Sequence, residues 1–217
     1  MKTDNKIAEA IERSVEIQMN KEGYADNLIY DTIVEVVRKG NFCEIKEIDV
    51  SGPIKTFLNN WGLMGWVLAR WDEDWESQLA RGIRENCGIF EKFRALHLED
   101  CDIDGMKSEI EGCYAAVKSI VKATSASKVL HLLNCNFFPL WDVAIRREAN
   151  NKFKNKIGRI DDSTEGYFNF MFAIQVILRQ YDKILSMLSE RYKKPKLRIL
   201  DMFLWNEAHK NRDKEND

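Results

Sequence analysis

The chain has 217 residues, of which 45% are apolar, and it carries a formal net charge of −2 at pH 7. A chain of this size can bury a hydrophobic core without metals or disulfides. The small net charge excludes a strong overall attraction to nucleic acids or anionic membranes. Residues 1–100 hold 13 Lys and Arg against 19 Asp and Glu, whereas residues 101–217 hold 20 against 16. We therefore expect any polyanionic partner to bind the C-terminal half.

Cysteine and histidine usage argues against a metal site and against a disulfide framework. The five cysteines are scattered, odd in number and without a C-x-x-C pair, which favours reduced, packed thiols. The three histidines are too far apart in sequence for a local metal motif. No apolar run approaches the length of a membrane span, and the polar N-terminal segment does not resemble a signal peptide. We expect a cytoplasmic protein with no metal, cofactor or membrane contact.

Apolar residues recur at the helical period along most of the chain, which predicts an all-α fold. Two amphipathic helices are predicted within residues 1–40. Residues 42–50 alternate weakly, which fits either a short strand or an extended connector. Residues 53–71 predict a buried helix that is broken at Gly62 or Gly65.

Helices also dominate the second half of the chain. After one or two helices within residues 72–96, the pattern predicts helices at 105–123, 167–188 and 195–210. There is no repeat, no linker and no series of strands. We therefore predict one helical domain that covers residues 1–217.

The stretch "IVKATSASKVLHLLNCNFFPLWDVAIRR" contains the residues with the most chemical content. It predicts two helices joined by a short turn at residues 123–127, with a serine capping the second helix beside Lys128. A helix N-terminus next to a lysine is a natural phosphate site. After a loop, Asp142 lies at or near the start of another helix, where the helix dipole favours an ionised carboxylate. His131, inside the apolar run, is expected to be a hydrogen-bonded core residue.

This order of hairpin, helix, loop and aspartate resembles the core of the helix–hairpin–helix DNA glycosylases, which include endonuclease III and 8-oxoguanine glycosylase. "SASKVLHLLN" resembles the family's hairpin lysine and the helix after it, and "PLWDVAIRR" resembles the segment that carries the essential acid. The resemblance covers roughly residues 110–150. The hairpin "TSAS" has no glycine where the family has Gly-x-Gly, and Lys128 and Asp142 are 14 positions apart, fewer than is usual in the family.

The resemblance implies a two-lobed helical enzyme with a cleft between the lobes, which cleaves the N-glycosidic bond of a damaged or modified base. Asp142 would stabilise the oxocarbenium-like sugar. Lys128 matches the lysine that forms a Schiff base in the bifunctional members. The partner would be double-stranded DNA with a modified base, bound by a monomer. The divergent hairpin suggests a prokaryotic antiviral enzyme acting on hypermodified phage bases, such as glucosylated hydroxymethylcytosine.

Neighbouring residues provide candidate contacts to DNA. Phosphates would be contacted by Ser125, Ser127, Arg146, Arg147, Lys152, Lys154 and Lys156. A base flipped out of the stack is held between aromatic or apolar walls. The candidates for that pocket are Trp141, Phe138, Trp61 and Trp66.

Simpler interpretations stay open at this stage. Asp142 can be an ordinary helix cap, Lys128 a solvated or phosphate-contacting side chain, and the tryptophans core residues. Two other functional classes also fit the sequence: a non-catalytic helical module that binds nucleic acid, and a helical protein-interaction partner, for example of the toxin–antitoxin type. The first predicts salt-dependent binding of nucleic acid without catalysis, and the second predicts no such affinity.

Overall fold

A computed structural model describes residues 2–21, 24–61, 68 and 71–214, and within these residues the chain is helical with no strand. The predicted all-α fold is therefore confirmed. The helices of seven or more residues in the described part are α1 (Lys2–Lys21), α2 (Tyr24–Lys39), α3 (Trp75–Glu85), α4 (Cys87–Phe93), α5 (Lys107–Leu133), α6 (Val143–Phe153), α7 (Thr164–Gln180), α8 (Asp182–Tyr192) and α9 (Lys196–Lys214).

Between α2 and α3, the described residues up to Trp61 form turns followed by helical turns, and none of them forms a strand. A single helical turn at Glu47–Asp49 leads into two wide turns of the π type, Val50–Ile54 and Phe57–Trp61. The strand considered for this segment is therefore absent from its described residues. The break predicted at Gly62 or Gly65 lies outside the described residues.

The long apolar helix predicted at 167–188 is two helices, α7 and α8. Tyr181 separates them with non-helical backbone angles, φ −111° and ψ 22°. Apolar residues keep the helical spacing on both sides of Tyr181, so periodicity alone does not reveal the break. The prediction of one continuous helix was wrong for this reason.

Helix α5 lies at the centre of the packing and contacts α2, α3, α4 and α7. Helix α9 packs against α1, α6, α7 and α8. The loop between α5 and α6 crosses the core, where the Asn134 side-chain amide donates hydrogen bonds to the carbonyls of Phe93 (2.6 Å) and Leu96 (2.9 Å). This loop positions the start of α6 beside α5.

Two cysteines form a disulfide, which corrects the prediction that the thiols are reduced. Cys43 and Cys87 are bonded, with their Cα atoms 5.0 Å apart. They are 44 positions apart in sequence, and only the packing of the segment after α2 against the start of α4 brings them together. The other three cysteines are free and buried, as predicted for packed thiols, and burial raises the pKa of Cys113 to about 12.

The predicted hairpin turn is a sharp break inside α5. Lys122 has φ 65° and ψ 167°, a backbone region that is almost exclusive to glycine. The break comes one residue earlier than the predicted turn, so Ser125 and Ser127 lie within the second helical part of α5 instead of capping it. The exposed Lys122 side chain occupies a position that sterically favours glycine.

Because of this strain, we expect the Lys122→Gly variant to be more stable than the wild type. Relief of the strained backbone is worth about 1–3 kcal/mol, and the entropy of an added glycine costs about 0.5–1 kcal/mol. The net gain of about 1 kcal/mol is measurable by urea unfolding. Ala115→Gly, at an exposed position in regular helix, is the control and should lose about 1 kcal/mol. Equal losses in both variants would show that Lys122 is not strained.

Candidate functional site around Lys128 and Asp142

Asp142 opens α6 at the end of the loop that crosses the core. Its backbone is extended (φ −121°, ψ −175°), and its Oδ1 accepts a hydrogen bond of 2.7 Å from the backbone N–H of Ile145. The predicted position at a helix start is therefore confirmed. The carboxylate is half-buried, and the cap bond uses one of its two oxygens. A carboxylate with this geometry caps a helix and still lies near the surface.

Lys128 lies on the second helical part of α5 and interacts electrostatically with Asp142. Burial lowers the pKa of the Lys128 amine, while the carboxylates of Asp142 and Asp201 act in the opposite direction. Lys128 and Asp142 therefore lie within electrostatic range of each other, although the interval between them in the sequence is shorter than in the family that the chain resembles. A lysine with a lowered pKa has more neutral amine at a given pH, which is the form that can act as a nucleophile.

Two further charged residues of this site, both on α9, were not among the candidates that the sequence provided. Arg198 and Asp201 form an ion pair, although only 3% and 8% of their surfaces are exposed. Taking such a pair out of water is costly, and it persists only with good geometry. The signal in the sequence is an Arg and an Asp three positions apart inside the otherwise apolar run "LRILDMF".

A second ion pair connects α2 to the short turn that precedes α9. The ammonium of Lys194, which is 4% exposed, lies 2.7 Å from both carboxylate oxygens of Asp31. The neighbouring Tyr30 ring lies 5.4 Å from the Lys194 nitrogen and 5.4 Å from the Arg198 guanidinium. The Tyr30 ring thus interacts with two cations, Lys194 from the turn before α9 and Arg198 from α9 itself.

His131 is a hydrogen-bonded core residue, as predicted. Its Nδ1 lies 2.8 Å from the carbonyl oxygen of Phe138, and its Nε2 lies 2.7 Å from the hydroxyl of Tyr30. A carbonyl only accepts, so Nδ1 carries the proton and Nε2 accepts from the tyrosine. Burial lowers the pKa of His131 to about 3. The imidazole is therefore neutral at physiological pH.

This neutral histidine should make the fold sensitive to acid. In the unfolded chain the pKa of His131 is about 6.5, so the unfolded state binds a proton first as the pH falls. We expect stability to be full above about pH 6.5 and to decrease by about 1.4 kcal/mol per pH unit below it, down to about pH 3. Urea unfolding at pH 7, 6 and 5 measures this decrease.

The matched control for this prediction is His131→Gln, since glutamine can donate to Phe138 and accept from Tyr30 without titrating. The variant should lose less stability between pH 7 and pH 5 than the wild type. The same pH dependence in both proteins would contradict the assignment to His131.

The predicted base-pocket residues Trp141 and Phe138 are core residues. Each is 1% exposed. The Trp141 ring packs edge-on against Tyr114 and Tyr167, at centroid distances of 5.9 and 5.1 Å, and the Phe138 ring packs against Phe93 at 5.5 Å. Neither side chain has a surface that a flipped base could contact. For the other two candidates, the side chain of Trp61 and the whole of Trp66 lie outside the described residues.

The predicted DNA-contacting residues separate into buried and exposed groups. Ser125 and Ser127 are fully buried, and the Ser127 hydroxyl donates to the carbonyl of Thr124 (2.9 Å), so we do not retain these serines as phosphate contacts. Arg146 is half-buried, with its guanidinium 5.5 Å from the Trp141 ring. The exposed cations are Arg147, Lys152, Lys154 and Lys156.

An open cavity of about 410 Å³ is lined by other residues, between the loop before α5 and helix α7. Its charged residues are Asp100, Asp102, Asp104 and Arg179. Among the residues that the structure describes, no three or more His, Cys, Asp or Glu side chains are grouped to hold a metal ion.

Comparisons of the chain with family models, with curated proteins and with solved structures gave no match in any of the three. None of the helices in the described ranges combines the length and the apolar character needed to cross a bilayer.

Proposed function

We propose that the chain is a DNA glycosylase that releases a damaged or hypermodified base and leaves an abasic site. The observation that carries the proposal is the half-buried carboxylate of Asp142, which the cap bond from Ile145 fixes at the start of α6. The partly desolvated amine of Lys128 lies within electrostatic range of it. The two groups lie at the start of α6 and in the second part of α5, in the order expected from the resemblance to helix–hairpin–helix glycosylases. We include in this proposal a cleft between two helical lobes, in which the DNA would bind.

Asp142 has the chemistry that base release requires. As the N-glycosidic bond breaks, its electrons leave with the base and positive charge develops on the deoxyribose. A fixed carboxylate stabilises that charge, and a water molecule then adds to the sugar carbon. Because the cap bond to Ile145 fixes the carboxylate, little reorganisation is needed during the reaction.

Lys128 determines whether the reaction continues beyond base release. An amine that adds to the sugar carbon in place of water forms a Schiff base, which leads to strand cleavage. The partial desolvation of Lys128 supports this role. Trapping with borohydride on abasic DNA distinguishes the two outcomes, since only the Schiff base is reduced to a stable cross-link.

The exposed cations of α6 and the turn after it supply the proposed DNA contacts. Lys152, Lys154 and Lys156 are exposed within a short segment, and Lys152 also pairs with Glu148 at 3.1 Å. Each phosphate contact of this kind releases counterions, so binding should weaken as the salt concentration rises. We place the phosphates of the duplex along this segment.

The experiment that tests the proposal is abasic-site formation on a panel of duplexes. The panel contains common damaged bases and phage DNA with glucosylated hydroxymethylcytosine, because the divergent hairpin suggested a hypermodified base. Alkali or an abasic-site endonuclease converts each released base into a strand break. Breaks on one substrate identify the base, and no breaks on any substrate from a folded protein contradict the proposal.

A second candidate is a nucleic-acid-binding module without catalysis. The exposed lysines of this segment favour it, because they serve binding equally well when no base is released. It predicts salt-dependent affinity for DNA or RNA that survives the loss of Asp142. A gel shift at two salt concentrations, together with the panel above, separates the two functions.

A further inference from the structure

A buried hydroxyl on α5 contacts the backbone of the residue that precedes Asp142. The Oγ of Ser127, which has no exposed surface, lies 3.3 Å from the backbone nitrogen of Trp141 and 3.2 Å from its carbonyl oxygen. The same Oγ lies 2.9 Å from the carbonyl oxygen of Thr124, three positions earlier on α5. A hydroxyl has one proton and two acceptor lone pairs. It can therefore accept a hydrogen bond from the Trp141 N–H while it shares its proton between the two carbonyls.

Further buried hydrogen bonds hold this loop against the helices around it. The Nε1 of Trp141 and the hydroxyl of Tyr114 lie 3.3 and 3.4 Å from the carbonyl oxygen of Ala123, beside the break in α5. The hydroxyl of Tyr167 on α7 donates to the carbonyl of Pro139 (3.1 Å). The loop is thus bonded to α5 and to α7 just before α6 begins, so the backbone enters α6 from a fixed direction.

Asp142 is held on both sides by these contacts. The peptide group that joins Trp141 to Asp142 contains the carbonyl that faces Ser127, and the carboxylate accepts through Oδ1 from the Ile145 N–H. A peptide group is planar, so a contact that fixes the Trp141 carbonyl also fixes the backbone nitrogen of Asp142. With that nitrogen and Oδ1 both fixed, the second carboxylate oxygen keeps one direction.

We propose that Ser127 is a positioning residue for Asp142, which it orients through the backbone of Trp141. The effect on base release rests on the proposed function, whereas the positioning does not. A carboxylate that is already oriented stabilises a developing charge well, because it does not reorganise during the reaction. Since Ser127 is fully buried, it acts on the orientation of Asp142 and not on the binding of DNA.

Hydrogen exchange of backbone amides tests the positioning without any substrate. Ser127→Ala should fold, because alanine fits the space of serine and favours a helix. We expect the Ile145 amide, which bonds to the Asp142 carboxylate, to exchange about 2- to 10-fold faster relative to the Ala149 amide of α6, the range for one lost hydrogen bond. A merely structural role changes both amides equally. That result, or unchanged exchange at Ile145, overturns the proposal.

Two further variants control for the loss of the hydroxyl. Ser125→Ala removes an equally buried hydroxyl from the same part of α5, and residues two positions apart on a helix do not face the same neighbour, so the exchange at Ile145 should stay as in the wild type. Ser127→Thr keeps a hydroxyl that can bond the carbonyl three residues earlier and should also keep wild-type exchange. An equal effect of Ser125→Ala, or a threonine variant that behaves like Ser127→Ala, contradicts the proposal.

Base release provides a readout that does not depend on the exchange measurement. If the wild type releases a base, Ser127→Ala should lower the single-turnover rate by up to about 100-fold, the cost of a misplacement of about 1 Å, with DNA affinity unchanged. Ser127→Thr should restore the rate. A rate that stays unchanged in Ser127→Ala, or a loss of affinity in place of rate, overturns the positioning role. If the wild type releases no base, the proposed function fails, and the exchange still decides whether Ser127 positions Asp142.

Discussion

Asp142→Asn is expected to fold normally and to release base at a rate that is lower by a factor on the order of 10²–10³, the loss typical for one fixed electrostatic contact to a transition state. The amide carries no charge and therefore cannot offset the positive charge that develops on the sugar. Asparagine is as good an N-cap as aspartate, so the hydrogen bond from Ile145 can be kept. The variant thus separates catalysis from helix capping, and abasic-site release with a thermal melt measures both.

Two comparisons decide what this result means. Asp142→Ala removes the cap as well and should cost about 1 kcal/mol of stability, which gives the size of the structural contribution. Alanine at Lys152, Lys154 and Lys156 should weaken DNA binding and lower its salt dependence while leaving the fold intact. Normal base release by Asp142→Asn would show that Asp142 serves only as a helix cap. If the wild type releases no base and only the lysine variant loses binding, the binding module is the better interpretation.

Trp141→Ala should destabilise the protein by about 3–5 kcal/mol, the usual cost of emptying a buried aromatic site. The indole is 1% exposed, and it packs against Tyr114, Tyr167 and Phe170. Its Nε1 also lies 3.3 Å from the carbonyl oxygen of Ala123 beside the break in α5. Urea unfolding measures the loss.

Val143→Ala is the matched control for Trp141→Ala, because Val143 lies two positions after Trp141 and is 52% exposed. A change at such a surface position usually alters stability by less than about 0.5 kcal/mol. If Trp141→Ala stays as stable as this control but loses base release, the tryptophan belongs to a base pocket and its assignment to the core is wrong.

The sequence alone predicted those features that depend on neighbours along the chain. Apolar spacing predicted helices nearly throughout, and the residue types around "PLWDV" predicted that Asp142 starts a helix. The apolar run around His131 predicted a hydrogen-bonded core histidine. The helices and the cap at Asp142 depend on backbone periodicity and on hydrogen bonds a few residues apart, which a linear pattern contains. For His131 the pattern predicted burial, whereas its partner Tyr30, 101 positions away, was not predictable from it.

Only the tertiary structure decided which side chains meet and which are buried. His131 on α5 and Arg198 on α9 both contact Tyr30 on α2, and Cys43 bonds to Cys87 because a loop meets the start of α4. Trp141, which the resemblance to the glycosylases suggested for a base pocket, is enclosed by α5 and α7. Burial and long-range pairing depend on how helices pack in space, and the periodicity of each helix does not specify its partners.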